Sequence, residues 1–382
     1  MSMREPERPI IRPVMPELDS LRGIAALSVI FYHGLFWSDD FGQYHGFRKA
    51  ILLASKPGWL GVNLFFVLSG FLITGILLNA KERPRFFSTF YKRRALRILP
   101  AYFALLVILL LDKKPLSFIG LSAVFSANMT FFFDIPMAFG PLWSLAVEEH
   151  FYLVWPAVVR FCSRTALTVI SLGIVVASPF LRGYRFQVGR GIETFSVTWL
   201  VADGLATGAL VALFLRSRLG TRSNAARLAW GSVLLSLVIG AAGLPFGIDT
   251  RNTLPGAMLQ VVPWNLLFGG TLIFSLLLGS RHERPVRVPV LPFFGFISYG
   301  LYLVHQLVFE FYDKAVGPLP AGDFTALLIR FAVCAVVSIA IASMSRFTYE
   351  EWFLRMKEHP ATPPQGLGTS ERKPAIDNSS AA

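Results

Sequence analysis

Arg22 and His33 stand eleven residues apart in LDSLRGIAALSVIFYHG, a stretch otherwise apolar enough for a lipid bilayer. Ionisable groups in such a run are costly and point to function. In a helix, eleven residues make about three turns, so the two side chains share a face roughly 16 Å apart along the axis. Asp19, one turn before Arg22, reads as a helix cap or as a participant. A neutral imidazole serves as general base near physiological pH, with a carboxylate to orient it and stabilise its cation. Such a pair removes the proton of a hydroxyl attacking an acyl carbonyl. In PLWSLAVEEHFYLVWP the carboxylates are Glu148 and Glu149; Ser144 and Tyr152, one turn either side, favour Glu148. Asn63, in GWLGVNLFFVLSG, or a Tyr could donate to the developing oxyanion.

A second group of candidates is basic. KERPRFFSTFYKRRALR, residues 81–97, holds seven Lys or Arg and a single Glu. Two readings stand side by side: contact with anionic lipid, or an anion site for a phosphorylated cytosolic cofactor, since Arg forks match phosphate geometry. Arg94 and Arg97 are three apart and share a helix face. No spacing resembles a zinc site, and there is neither an HExxH nor a P-loop pattern.

The elements that carry these residues follow from composition. Of 382 residues, 54% are hydrophobic and 15% charged, with mean hydropathy +0.56. Soluble domains are nearer to one quarter charged. Apolar runs of bilayer-spanning length recur along the chain, which predicts an all-α polytopic membrane protein. The net charge of +13 belongs to short loops between apolar runs, so membrane topology explains it better than nucleic acid does. Cys162 and Cys334 are isolated in apolar surroundings and read as packing residues. No secretory signal stands out before Leu18.

Ten spans are predicted, near 18–37, 59–79, 97–111, 143–160, 166–181, 196–215, 228–245, 257–279, 291–312 and 324–345. An eleventh apolar piece, 116–133, is decided by charge. Ten spans with a cytoplasmic N-terminus put about 25 Lys and Arg inside and about 10 outside, whereas letting 116–133 cross gives about 16 and 19. It is therefore expected to be re-entrant or interfacial on the outer face. The domain reading is a cytoplasmic segment 1–17, a transmembrane domain 18–346 and a cytoplasmic tail 347–382, disordered from about 360. His33, Asn63, Glu148, Glu149, Asp203, Asn265 and His305 all fall in the outer half of their spans, which predicts one polar layer lining a cavity open to the outside. For His305 an interhelical hydrogen bond is preferred to catalysis. Gly58, Gly61, Gly70 and Gly75 are expected to let helices approach closely.

Five stretches together, PELDSLRGIAALSVIFYHG, GWLGVNLFFVLSGFLIT, YKRRALRILPAYF, PLWSLAVEEHFYLVWP and GFISYGLYLVHQ, resemble the acyltransferase 3 family of integral-membrane O-acyltransferases, over about residues 16 to 355. The resemblance implies acetyl or short-acyl transfer from cytoplasmic acetyl-CoA, or another acyl-CoA, to a hydroxyl of an envelope or exported carbohydrate, with no metal. It makes Arg22, His33, Arg94 and Arg97 the essential residues, with Glu148 and Tyr152 as weaker candidates; Arg93, next to Arg94, is counted with the donor-binding arginines. The arginines would hold the CoA phosphates while the pantetheine arm reaches towards His33. It implies the inner membrane of a bacterium, with both termini cytoplasmic. Some members continue into an SGNH-type domain, of which this sequence carries no GDS block. His150 stands where Gln is frequent. A transporter or flippase of a glycan or lipid-linked substrate is the alternative. A membrane-bound O-acyltransferase of the other class would instead make His305 the sensitive histidine.

Overall fold

The computed structural model describes residues 9–36, 43–189, 195–281, 290–317, 319–320 and 322–356. Most of the tail predicted from 347, including all of the part expected to be disordered, lies outside them, as do residues 1–8 of the N-terminal segment. Among the described residues the fold is helical, without a strand. The helices are α1 Pro16–Phe31, α2 Gly46–Ser55, α3 Gly61–Ala80, α4 Phe86–Leu111, α5 Leu116–Ala123, α6 Leu142–Phe161, α7 Arg164–Gln187, α8 Thr198–Val201, α9 Asp203–Leu215, α10 Arg222–Gly243, α11 Leu254–Leu259, α12 Val262–Arg281, α13 Val290–Val316, α14 Phe324–Phe347 and α15 Tyr349–Arg355.

Seven described helical stretches are long and apolar enough by themselves to cross a membrane, those carrying α3, α4, α7, α10, α12, α13 and α14. With that hydropathy, the chain is a membrane protein. Three of the ten predicted spans, α1, α6 and α9, fall short of that measure. α1 has 16 residues before its geometry changes, α9 has 13, and α6 carries Glu148, Glu149 and His150. The reason is position. α1 packs against α3, α12 and α13, and α9 against α3, α7 and α12. A helix enclosed by protein does not need an apolar surface all round. Residues 116–133 form the eight-residue α5 and a 3-10 stretch, Ala127–Phe133, each too short to cross. They double back on α4, where Phe118 is buried beside Tyr102 and Tyr102 Oη donates to Ser122 O at 2.7 Å.

Helix starts obey local chemistry. Ser163, Thr221 and Asp323 cap α7, α10 and α14 by accepting from the backbone N–H three residues on, and Pro16 opens α1. The tight crossings rest on glycine. A Cβ on Gly23 would overlap Leu291 O of α13, and one on Gly70 would overlap Leu205 O of α9. Glycine there lets backbones touch, as predicted for Gly70.

α1 ends in a π-helical turn, Tyr32–Phe36. Such turns insert a residue into the helical register and are frequent at functional sites. His33 is its second residue, so the straight-helix phase linking it to Arg22 holds over nearly the whole interval.

Candidate active site

Two cavities meet inside the bundle. The first, with about 710 Å³ of empty space, is lined by Arg22 from α1, Arg94 and Arg97 from α4, Ser69 from α3, Glu148, Glu149 and Tyr152 from α6, and Ser298 and Tyr299 from α13. The second, with about 1340 Å³, is lined by Tyr32 and His33, by Asn63 from α3, by Trp59, Trp143 and Arg251, and by Gln306 from α13. Val62, Phe66 and Tyr302 line both. These three side chains form the wall shared by a basic chamber and a histidine chamber.

In the basic chamber Arg22 Nη1 donates to Asp19 Oδ1 at 3.3 Å, so Asp19 serves Arg22 and not His33. Arg94 lies over the Tyr152 ring at 5.0 Å and the Phe90 ring at 5.9 Å. Arg97 makes no hydrogen bond or ion pair with any described residue. It is exposed and borders the cavity. Unpartnered guanidinium beside Arg22 and Arg94 is a donor set suited to a multiply charged anion such as phosphate. Arg93 is exposed and does not line the chamber. Its neighbours Arg94 and Arg97 share the inward face that the three-residue spacing predicts.

The single polar layer expected from depth is divided in three. Glu148 accepts from Ser69 Oγ at 2.9 Å and from Tyr152 Oη at 3.1 Å, which keeps it and Tyr152 in the basic chamber, away from the cavity His33 lines. Ser69 was not legible as a site residue: it is one hydroxyl in an apolar run. Asp203 is a structural anchor. The fully buried Arg182 bonds it at 2.9 Å and also reaches Leu200 O and Met258 O, so a charge that looked like a loop residue of α7 is enclosed. Only His33, His305, Asn63 and Asn265 stay together. Asn63 Nδ2 donates to Asn265 Oδ1 at 3.4 Å, leaving its second N–H for another acceptor.

His33 Nδ1 lies 3.1 Å from Val29 O and 3.1 Å from Nε2 of His305. The interhelical hydrogen bond expected of His305 is therefore made to His33 itself. A second residue missed by sequence is Gln306, whose side-chain oxygen is buried with no partner among the described residues. His150 Nδ1 lies 2.7 Å from Thr198 Oγ1, which also accepts from Asn128, and it lines neither chamber. Both cysteines are free. Among the described residues no group of three His, Cys, Asp or Glu could hold a metal ion.

The chain is similar to O-acetyltransferase OatA of Staphylococcus aureus, 32% identical over 85% of this chain and 56% of that protein. It is also similar to peptidoglycan O-acetyltransferase OatA of Listeria monocytogenes, 34% identical over 38% of this chain and 24% of that one. For the putative peptidoglycan O-acetyltransferase YrhL of Bacillus subtilis the figures are 31% identity, 50% and 33%. The chain thus spans from about a quarter to about half of the length of these relatives. No solved structure matches it significantly. The acyltransferase domain model of the acyltransferase 3 family matches residues 15–345, and with that match over nearly all of the described helices the chain belongs to this family of acyltransferases.

Proposed function

We propose that the protein is a membrane O-acetyltransferase that moves an acetyl group from acetyl-CoA to a hydroxyl of a cell-envelope carbohydrate. The observation that carries this reading is the pair of chambers sharing lining residues, with arginines in one and His33 in the other. The excess of Lys and Arg in the loops on the side of the basic chamber orients that chamber to the cytoplasm, with both termini there and the histidine chamber facing outward across a bacterial plasma membrane. The whole enzyme's acceptor is read from relatives named for peptidoglycan O-acetylation.

Arg22, Arg94 and Arg97 bind the donor's phosphates; Glu148, held by Ser69 and Tyr152, supplies a counter-charge in the same chamber, and Arg94 rests over the Tyr152 ring. The thioester end reaches through the wall of Val62, Phe66 and Tyr302. On the far side a sugar hydroxyl gives its proton to His33 Nε2 as its oxygen bonds to the acyl carbon. The spare N–H of Asn63 stabilises the oxyanion. The carbon–sulfur bond breaks and the proton passes from His33 to the thiolate. Trp59, Trp143 and Tyr32 give the chamber an aromatic lining for the sugar, and Gln306 accepts from a further hydroxyl.

The test is transfer of radiolabelled acetyl from acetyl-CoA to envelope oligosaccharides by the purified protein in proteoliposomes. His33→Ala should insert and fold but lose transfer. Normal transfer by that variant sinks the assignment. Movement of glycan across the vesicle wall without any donor would favour the transporter reading instead.

A further inference from the structure

His305 is completely buried and lines neither chamber, yet its bonding decides which nitrogen of His33 can act as a base. Its Nδ1 lies 2.7 Å from Tyr302 O. A carbonyl oxygen only accepts, so His305 Nδ1 carries a proton, and the neutral ring presents its lone pair at Nε2. That nitrogen is 3.1 Å from His33 Nδ1. Val29 O, again an acceptor, also lies 3.1 Å from His33 Nδ1. With acceptors on both sides, His33 Nδ1 must be the donor. A neutral His33 then carries its lone pair on Nε2.

We propose that His305 is a positioning residue for His33: the chain Tyr302 O, His305, His33 fixes the tautomer in which Nε2 takes the proton of the acceptor hydroxyl. This rests on the reading of His33 as the base. In many general-base sites a carboxylate holds the imidazole. Here the carboxylate that the fourth-span motif favours, Glu148, is committed to Ser69 and Tyr152. A neutral histidine fills the orienting place, held in turn by a backbone carbonyl of α13. The ring centroids are 5.0 Å apart and the planes tilted by 45°, which fits an edge-to-edge N–H···N contact better than stacking. His33 is the second residue of the π turn Tyr32–Phe36, and the contact with His305 ties that turn to α13. Bonding to His305 on α13 references His33 to the helix that also carries Tyr302 of the wall and Gln306 of the histidine chamber. In the reaction the acceptor O–H bond breaks, its proton moves to His33 Nε2 and then to the leaving thiolate. His305 keeps its own proton throughout.

The experiment uses the full chain in proteoliposomes, with acetyl-CoA and an envelope oligosaccharide. His305→Leu removes the acceptor. His305→Gln replaces Nε2 by a side-chain oxygen of similar reach. The leucine variant should lose about 10- to 100-fold in kcat, by analogy with loss of the partner that orients a metal-bound histidine, with KM for both substrates changed by less than about twofold, since the lost contact touches neither. The glutamine variant should recover most of that loss. Leucine at wild-type kcat, or glutamine as damaged as leucine while His33→Ala is inactive, overturns the proposal and leaves the base assignment standing. An active His33→Ala overturns the assignment itself. Should neither His305 variant fold, imidazole ¹⁵N resonances of the wild-type protein decide: His33 is expected with protonated Nδ1 and bare Nε2, and the opposite tautomer refutes the proposal.

Discussion

Ser144 Oγ and Tyr302 Oη lie 2.6 Å apart, joining α6 to α13 at the wall shared by the two chambers. Ser144 also lies 3.1 Å from Pro141 O, to which its hydroxyl can donate. The wall therefore has a hydrogen-bonded hinge point on one side and the phenyl ring of Phe66 on the other. Tyr302→Phe should cost about 1 kcal/mol, the net value of one such bond, and leave transfer largely intact. Tyr302→Ala should open the wall to water. Its expected signature is hydrolysis of acetyl-CoA without acceptor, read as free CoA released in the absence of glycan.

Arg97 and Arg93 lie on one helix yet differ in what they face. Losing a charge-assisted bond to phosphate costs about 1.5–3 kcal/mol, so Arg97→Gln should raise KM for acetyl-CoA by about 10- to 150-fold. Arg93→Gln should leave it within about twofold, as expected of an exposed residue that touches no donor. Initial rates against donor concentration separate the two.

Gln306 places a buried, unpartnered oxygen in the histidine chamber. Gln306→Leu should raise KM for the glycan acceptor while leaving KM for acetyl-CoA unchanged. A neutral hydrogen bond of about 0.5–1.5 kcal/mol corresponds to roughly 2- to 12-fold.

Arg182 and Asp203 form an ion pair whose side chains are 0% and 2% exposed. Asp203→Ala should destabilise strongly, by about 3–5 kcal/mol, because it leaves an uncompensated buried guanidinium. The double variant Arg182→Met, Asp203→Leu should be less damaged than Asp203→Ala alone. Thermal unfolding in detergent gives the comparison, and any protein that survives should keep its KM values, since the pair lines neither chamber.

At the far end of α4, Asp112 accepts from Lys314 Nζ of α13 at 2.6 Å, with Lys114 also close. The Lys314 hydrogen bond holds the Asp112 carboxyl below its ordinary range. A depressed carboxylate stabilises fully above its unfolded value, about 3.9, and that contribution disappears as pH falls through the lower folded value. Lys314 is 55% exposed, so the contribution is at most about 1 kcal/mol. Asp112→Asn should lower the unfolding temperature slightly at pH 7, and the difference from wild type should close as pH falls towards 3.

Much of the architecture was legible in the chain. Lipid imposes long apolar runs and internally bonded backbone, so helix number and order follow from hydropathy with little help from packing. The exceptions are α1 and α9, which other helices enclose, and α6, which carries Glu148, Glu149 and His150; the polar residues of α1 and α6 mark the site, and that of α9 is a buried anchor. The inward face of Arg94 and Arg97, and the separation of Arg22 from His33 along one helix, are properties of helix geometry alone.

What the chain could not state was which polar residues at one depth meet. Depth is a coordinate along the membrane normal and says nothing about position around the bundle. Glu148, Asp203 and His33 share a depth, but they belong to a chamber of arginines, a buried anchor and a histidine pair respectively. Ser69, Arg182, Gln306 and the pairing of His33 with His305 acquire a role only where α3, α7 and α13 come together. Sequence determines the helices and the types of residue they carry, because backbone hydrogen bonding and lipid act locally on each span. Tertiary structure alone decides the partners, because a side chain's hydrogen bond depends on the rotation of one helix against another, which no single helix encodes.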